Sequence, residues 1–294
     1  MTAFMSHTPS SGSAESGSSG PAGSVIDAPR ALSVRECWST LRGTPVGRLV
    51  FTEQAMPAIR LVNFSVVDGQ VVIWSRPGGK NRTLRNQVVA FQADQVDSET
   101  GVVNSVVVVG GTEIVSDRDE SLARIEPIRR PWQHGWLDHV IKVRVQYLTG
   151  RKLVLPEHLS TGWVGSSAAD LAPAPPAELN LRECWTRLRT ASLGRVVFIE
   201  DAMPAVRMAA FTAEHDEDGR GDHLVLRSPH DDPIGVRRDE IVAFEIDDVD
   251  ASARRGWSVV ALGRVESVDQ VIRIRIVQLS GRRVPAGRPA PGRW

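Results

Sequence analysis

Residues 36–64, ECWSTLRGTPVGRLVFTEQAMPAIRLVNF, decide the fold, because nearly the same sequence returns at residues 183–211 as ECWTRLRTASLGRVVFIEDAMPAVRMAAF. The two stretches are 147 residues apart throughout, without a gap. Identical pairs include Glu36/Glu183, Cys37/Cys184, Trp38/Trp185, Gly47/Gly194, Arg48/Arg195, Met56/Met203, Pro57/Pro204 and Arg60/Arg207. Self-similarity of this length is typical of a duplicated unit. The chain therefore contains two copies of one domain.

The spacing between the copies changes further along the chain. VVAF at 88–91 matches IVAF at 241–244 at a spacing of 153, and VIKVRVQYLTGRKL at 140–153 matches VIRIRIVQLSGRRV at 271–284 at a spacing of 131. The second copy therefore gains residues in the acidic turn at 214–222, where a hairpin tolerates insertion. It also lacks a segment that corresponds to 117–138. We predict a disordered tail at 1–30, repeat 1 at 31–154, a linker at 155–178, repeat 2 at 179–284 and a second tail at 285–294.

Each repeat opens with the pattern of a short amphipathic helix. Ser33 and Glu36 have the spacing of a capping box, and Asn180 and Glu183 repeat it. Strands rich in Val and Ile follow. In repeat 1 they are predicted at Val46–Thr52, Ala58–Val67, Val71–Ser75, Val88–Ala93, Val102–Val115 and Val140–Leu148, with short helices at 80–86 and 120–128. About six strands without alternating βαβ units indicate a small antiparallel barrel, a mainly β fold with short helices (α+β).

Composition excludes several classes of protein. The 294 residues include 35 Lys and Arg against 35 Asp and Glu, and this balance argues against a nucleic-acid binder or a polybasic membrane-surface protein. Two cysteines exclude a disulfide scaffold and a Cys-rich zinc module. No apolar run is long enough to span a membrane, and the Ser/Gly-rich N-terminus does not have the pattern of a signal peptide. We therefore expect a cytoplasmic protein.

The stretch Trp74-Ser75-Arg76-Pro77-Gly78-Gly79-Lys80 has the parts of a phosphate site. It combines a hydroxyl and a cation at a strand end with a glycine turn and a lysine at a predicted helix start. It is not a P-loop, because a tryptophan stands at the position of the first glycine. From spacing alone, an ordinary glycine-rich surface turn remains an alternative.

At these positions the chain resembles the pyridoxamine 5'-phosphate oxidase-like flavin-binding proteins, which have the FMN-binding split-barrel fold. The resemblance covers most of each repeat. It includes the opening ECWxxLR, the strand PAIRLVNF, the turn WSRPGGK, the strands VAFQAD and VAFEID, the strand GWSVVALGRVE, and the closing TGRK and SGRR. It implies two split barrels that form a pseudo-dimer, with a flavin at their junction.

The resemblance also implies roles for individual residues. The family turn typically reads R-T-A-P-G-T-K, so Ser75 and Lys80 would contact the flavin phosphate, with Arg76 and Gly79 as departures from the usual types. Asn63 matches the Asn of the family's P-V-N-Y strand, which borders the flavin ring. Trp132, after a proline, either flanks the flavin or packs in the core.

Repeat 2 lacks these features. Gly78, Gly79 and Lys80 correspond to Asp231, Asp232 and Pro233, and Asn63 corresponds to Ala210. Two carboxylates beside a phosphate dianion repel it. Repeat 2 retains Gly256-Trp257-Ser258-Val259, where repeat 1 has Val103-Asn104-Ser105-Val106. We therefore expect one composite site, with the phosphate end from repeat 1 and a wall that includes Trp257 from repeat 2.

Other candidate chemistry is weaker. Cys37 and Cys184 lie on apolar helix faces, which favours packing over a redox role. His134, Asp138 and His139 lack the framework of a metal site, and no metal is expected. No catalytic residue is evident.

The sequence therefore predicts an FMN-binding protein, interpreted as a flavin-dependent oxidoreductase of unknown substrate. A deazaflavin is the alternative cofactor. A non-enzymatic binding protein, sensor or scaffold is the alternative function. The expected partners are a flavin and a small substrate, without nucleic acid or membrane. Oligomers beyond the intramolecular pseudo-dimer remain possible.

Overall fold

The computed structural model describes residues 30–44, 46–75, 84–97, 100–116, 139–155, 178–214, 221–228, 233–250, 255–268 and 271–284. In the first copy the elements are β1 (Arg30–Ala31), α1 (Val34–Gly43), β2 (Val46–Glu53), β3 (Met56–Val67), β4 (Gln70–Ser75), β5 (Val88–Asp97), β6 (Val102–Ser116) and β7 (His139–Val154). In the second they are β8 (Glu178–Leu179), α2 (Leu181–Thr190), β9 (Leu193–Glu200), β10 (Met203–Glu214), β11 (His223–Arg227), β12 (Ile241–Asp250), β13 (Arg255–Val268) and β14 (Ile272–Val284).

Each copy forms a closed antiparallel barrel of six strands. Barrel 1 runs β7-β4-β3-β2-β5-β6 and closes through the pairing of β6 with β7. Barrel 2 runs β14-β11-β10-β9-β12-β13 and closes through the pairing of β13 with β14. All six strands predicted for repeat 1 are present, and the mainly β fold of two split barrels is confirmed. The two-residue strands β1 and β8 were not predicted, because two residues carry no periodic pattern.

The two helices begin as their capping boxes predict. The Ser33 hydroxyl accepts a hydrogen bond from the Glu36 amide, and the Glu36 carboxylate accepts one from the Ser33 amide at 2.8 Å. Asn180 and Glu183 make the same pair of bonds at 2.9 Å. Each helix buries its cysteine against its own barrel, with Cys37 and Cys184 at most 1% exposed. Helices of ten residues are held by such packing rather than by propensity.

The two cores are built alike. Phe64 and Phe91 make an edge-to-face contact in barrel 1 with ring centroids 4.6 Å apart. Phe211 and Phe244 make the same contact in barrel 2 at 4.7 Å. These residues are related by the spacings of 147 and 153 found in the sequence. The structure therefore confirms that the two copies are structural duplicates.

The barrels pack against each other along a junction with pseudo-two-fold symmetry. Its central apolar cluster takes three positions from each copy, paired as Val50 with Val197, Ile59 with Val206, and Ala90 with Ala243. Since each pair occupies equivalent positions, both barrels use the same face. The predicted intramolecular pseudo-dimer is thus present. Within the described ranges, neither helix is long and apolar enough to cross a membrane.

The predicted helix at 80–86 is described only from Leu84, which starts a short turn with its side chain buried. The predicted helix at 120–128 lies outside the described residues, as do the linker from 156 to 177 and both predicted tails apart from Arg30.

Candidate functional site

Asn63 lies on the face of β3 that is turned toward the junction. Side chains alternate along a strand, and the neighbours Val62 and Phe64 pack in the core of barrel 1. Leu61 and Asn63 are therefore on the opposite face, where β3 packs against β12 of the other barrel. Both are partly exposed. The structure thus places this predicted residue at the junction.

The end of β4 lies beside Asn63. Phe64 pairs with Ile73, and antiparallel register then places Asn63 opposite Trp74, one residue before the strand ends at Ser75. The predicted phosphate turn therefore leaves barrel 1 at the end that holds Asn63. Arg76, Gly79, Lys80 and Trp132 lie outside the described residues, so their predicted roles stay predictions.

Strand β13 supplies the opposite wall of the junction. Trp257 and Val259 pack in the core of barrel 2, so Ser258 faces the junction, while the buried Gly256 lies against the backbone of Asp248 and Val249 in β12. Trp257 is 8% exposed, and the Arg187 guanidinium lies 4.8 Å from its ring centroid. The Trp257 ring, predicted to form a wall of the site, therefore lies in the barrel core behind β13 and not on the junction surface, and its role as a wall stays a prediction.

Pseudo-symmetry gives the junction two equivalent ends, which we name after Asn63 and its counterpart Ala210. The Asn63 end is defined by the sequence counterparts of the residues at the other end: Val46, Leu61 and Asn63 from barrel 1 with Val249 and Gly256 from barrel 2. The Ala210 end consists of Leu193, Met208 and Ala210 from barrel 2 with Val96, Val103, Leu153 and Leu155 from barrel 1. Comparing the two ends shows which side chains the two copies have in common and which differ between them.

The Ala210 end is filled with apolar side chains. Val103 is fully buried, Leu153 and Leu155 are 6% and 4% exposed, and Met208 is 8% exposed. The Leu155 amide donates to the Gly101 carbonyl at 2.9 Å, which fixes the chain as it leaves barrel 1. These side chains come from both barrels and form one cluster. This end of the junction is packed as a core.

The Asn63 end differs at the positions that fill its counterpart. Gly256 stands in place of Val103, and Asn63 in place of Ala210. Leu61 is partly exposed, whereas the equivalent Met208 is buried. The Asn63 amide, with donors and an acceptor, is thus partly exposed at this end of the junction. Such an arrangement suits a planar polar ligand better than the packed end does.

Between the two ends lies a buried ring of four charged residues, the junction ring: Arg48, Asp94, Arg195 and Asp247. Arg48 binds Asp247 of the other barrel through two nitrogens, at 2.6 and 2.8 Å. Arg195 binds Asp94 of the other barrel, with its closest nitrogen at 2.5 Å. Two further bonds, Arg48 to Asp94 at 3.2 Å and Arg195 to Asp247 at 3.1 Å, close the ring. The ring therefore binds each barrel to the other twice.

Glu245 is a fifth buried charged residue beside this ring. It is 0% exposed, and the Ser258 hydroxyl donates to its Oε1 at 2.9 Å. Burial raises the pKa of Glu245 to about 7, and the negative charge of Asp247 adds to that shift. Burial alone would also raise the pKa of Asp247, but Arg48 and Arg195 together hold it below its usual value. Burial opposes the charge of Arg48, but Asp247 and Asp94 outweigh it and raise the pKa of Arg48 above its usual value.

The junction ring was not predicted from the sequence. Its members were visible only as repeat identities: the Arg of GRLVF and GRVVF, and the final Asp of VAFQAD and VAFEID. A charged residue retained on a strand between apolar neighbours in both copies was the available signal.

The remaining candidates from the sequence are the two cysteines and the group His134, Asp138 and His139. No group of three His, Cys, Asp or Glu side chains in the described ranges lies close enough to hold a metal ion. His134 and Asp138 lie outside those ranges, and only the backbone of His139 is described. Cys37 and Cys184 are free thiols, and burial raises the pKa of each. Both therefore behave as core residues.

Comparison with known proteins gives matches to each copy. The sequence pattern of a family described as pyridoxamine 5'-phosphate oxidase matches residues 33–152 and 180–293. An uncharacterized protein of Mycobacterium tuberculosis is 37% identical over 125 residues, which is 40% of this chain and 82% of that protein. The FAD binding protein from Mycobacterium smegmatis is 30% identical and covers 42% of this chain and 99% of its own, with a TM-score of 0.35. A conserved protein of unknown function from Corynebacterium diphtheriae is 25% identical and covers 44% of this chain and 100% of its own, with a TM-score of 0.37.

Proposed function

Because the chain belongs to the pyridoxamine 5'-phosphate oxidase family, we propose that it binds one flavin per chain, at the Asn63 end of the junction. The observation that carries this proposal is the difference between the two ends. One is packed with Val103, Leu153 and Met208. The other has Gly256 in place of Val103, Leu61 in place of Met208, and the Asn63 amide in place of Ala210.

The residues of the Asn63 end fit the parts of a flavin. The Asn63 amide both donates and accepts, as the pyrimidine edge of an isoalloxazine ring requires. The partly exposed Leu61 offers apolar surface for the ring face. The turn that follows β4 would hold the phosphate through Ser75, Arg76, Gly79 and Lys80. A hydroxyl, backbone amides and cations are the groups that bind the phosphate of a phosphorylated flavin.

Repeat 2 provides a contrast for the phosphate. At the matching turn it has Asp231, Asp232 and Pro233 in place of Gly78, Gly79 and Lys80. The carboxylates would repel a dianion, and proline removes a backbone donor. Both the phosphate end and the ring end are thus altered in the second copy, which supports one site rather than two.

FMN is the proposed cofactor, with a deazaflavin as the alternative. When bound, the flavin would supply the transfer of electrons, and the protein would supply its position and surroundings. Trp257 and Arg187 would keep the wall at Gly256 in place, and Trp132 is proposed to flank the ring. On this basis the chain is a flavin-dependent oxidoreductase whose substrate is a small molecule.

The test is a visible spectrum and a titration of the purified full chain with FMN, FAD and a deazaflavin. We expect flavin absorbance and saturation at one equivalent per chain. Lys80→Ala and Asn63→Ala should each weaken binding at least about tenfold, the loss of roughly one charge-assisted or two ordinary hydrogen bonds. Arg238→Ala, which removes an exposed cation of repeat 2, is the matched control and should bind normally.

Two results would contradict the proposal. Saturation at two equivalents would show that the Ala210 end also binds, and a colourless chain that takes up none of the three flavins would exclude the site. Consumption of NADH or NADPH by the loaded protein then distinguishes an enzyme from a carrier.

A further inference from the structure

With Glu245 ionised, the centre of the junction would have one more negative than positive charge. The junction ring has two guanidinium groups and two carboxylates, so its formal charges cancel. Glu245 adds a third carboxylate that is as buried as the others. An unbalanced charge in a dry interior costs several kcal/mol unless the group becomes neutral. The geometry therefore favours Glu245 in its protonated form.

The cations around Glu245 offset its charge only in part. Arg48 and Arg195 act to lower the pKa of Glu245, but burial and the charge of Asp247 raise it further. Arg48 of β2 has its Nε 3.8 Å from Glu245 Oε2, too far for a hydrogen bond. Arg195 of β9 lies opposite Glu245 in the sheet, and its guanidinium bonds to Asp94 and Asp247. Ser258 of β13 donates to Oε1, and the Asp247 carboxylate lies within hydrogen-bonding range of the Glu245 side chain. On its own strand, Asp247 faces Glu245 with a negative charge.

Repeat 1 contains the neutral version of this arrangement. The position equivalent to Glu245 is Gln92, which is 1% exposed and donates from its Nε2 to the Ser105 hydroxyl at 3.0 Å. Ser105 and Ser258 are themselves equivalent. A glutamine and a protonated glutamic acid have the same shape. The pseudo-symmetric partner thus shows that a neutral side chain fits this place in the junction.

We propose that Glu245 holds a proton in the folded protein on the acidic side of neutral pH, and that loss of this proton is a pH switch that loosens the junction beside the Asn63 end. Ser258, which donates to Glu245, lies two residues from Gly256 on the same face of β13. The ionised carboxylate of Glu245 would therefore lie nearer to the Asn63 end than to the Ala210 end. This inference is independent of which ligand the Asn63 end takes.

The pKa of Glu245, raised by burial to about 7 from a usual 4.5, determines the direction of the effect. Between those two values the folded chain binds the proton and the unfolded chain does not. Stability therefore falls as the pH rises through this window. Glu245→Gln removes the dependence, because glutamine does not ionise.

The first experiment compares the Tm of the full chain with that of Glu245→Gln between about pH 5 and about pH 8. We expect the difference in Tm to grow in favour of the variant as the pH rises. Amide exchange in β13 should accelerate over the same range in the original chain only. The control Glu113→Gln, at an exposed carboxylate of β6, should follow the original chain. Parallel profiles for Glu245→Gln and the original chain would overturn the proposal.

The second experiment needs no variant, so it decides the matter even if Glu245→Gln does not fold. Infrared difference spectra of the folded chain should show the carbonyl band of a protonated carboxylic acid near neutral pH. The band should disappear as the pH is raised further. A chain that shows no such band at about pH 6, where ordinary carboxylates are ionised, would equally overturn the proposal.

Discussion

Arg48 and Arg195 are far more buried than is usual for arginine. They are 6% and 1% exposed, although arginine is almost never fully buried unless it is paired. Here each guanidinium meets a carboxylate of the other barrel at 2.5–2.6 Å. The pairing explains why both copies keep an arginine between apolar strand residues. These residues specify how the barrels fit together.

Removing one member of the junction ring tests this role. Asp94→Asn leaves Arg195 buried without the full charge of its nearest partner. We expect the free energy of unfolding to fall by about 3–5 kcal/mol, the usual cost of breaking a buried ion pair. Urea unfolding followed by fluorescence measures it.

The matched control is Glu214→Gln, which breaks the ion pair of Glu214 with Arg273 at the surface. These side chains are 49% and 39% exposed, so the change should be about 0–1 kcal/mol. Equal effects of the two substitutions would mean that the ring adds nothing beyond a surface ion pair.

At the scale of elements, both barrels bend their longest hairpin at the same point. The register of β6 and β7 shifts between Val109 and Gly110, and that of β13 and β14 shifts between Leu262 and Gly263. Each shift leaves one extra residue on the later strand, which is a β-bulge. Gly110 and Gly263 occupy equivalent positions, and each backbone approaches its neighbouring strand closely. Both copies of the domain therefore contain the same β-bulge.

Alanine at these glycines tests the close approach. A Cβ at Gly110 would fall on the Arg144 carbonyl oxygen, whereas a Cβ at the adjacent Gly111 would meet nothing within 4 Å. We expect Gly110→Ala to lower the free energy of unfolding by about 1–3 kcal/mol, as overpacking does. Gly111→Ala should stay within about 0.5 kcal/mol. Thermal unfolding of the two variants distinguishes them, and the idea fails if they unfold alike.

At the scale of the whole molecule, the two halves are joined by a large non-covalent junction as well as by the chain that links them. The junction contains the central apolar cluster, the packed Ala210 end and the junction ring. Separating the barrels would expose the apolar residues and leave Arg48 and Arg195 without their closest carboxylates. Both effects oppose separation.

A cut between the repeats tests this directly. With a protease site inserted between residues 160 and 170, the two halves should still elute as one particle after cleavage. They should separate only in denaturant. Met208→Asp, which places a charge in the Ala210 end, should weaken the association of the cleaved halves by at least about tenfold. Separate elution of the unmodified halves would show that the linker, and not the junction, keeps them together.

Much of this molecule was determined by its sequence alone. The repeat at a spacing of 147 gave the duplication, and Val- and Ile-rich strands with two capping boxes gave the elements, because these are local signals. The position of Asn63 could be matched to a family motif for the same reason. The changes at Asp231 and Asp232 were equally visible, since they replace residues one by one.

Only the tertiary structure decided which residues of the two copies meet. The packed Ala210 end joins Val103 and Leu153 to Met208, and the ring joins Arg48 to Asp247 across 199 positions of the chain. Periodicity indicates that a side chain faces inward or outward, but it does not indicate which barrel it meets. The contacts between the barrels determine which residues are buried there. They also determine how the two ends of the junction differ and why the pKa of Glu245 is raised. These features therefore follow from tertiary packing, which the sequence pattern does not specify.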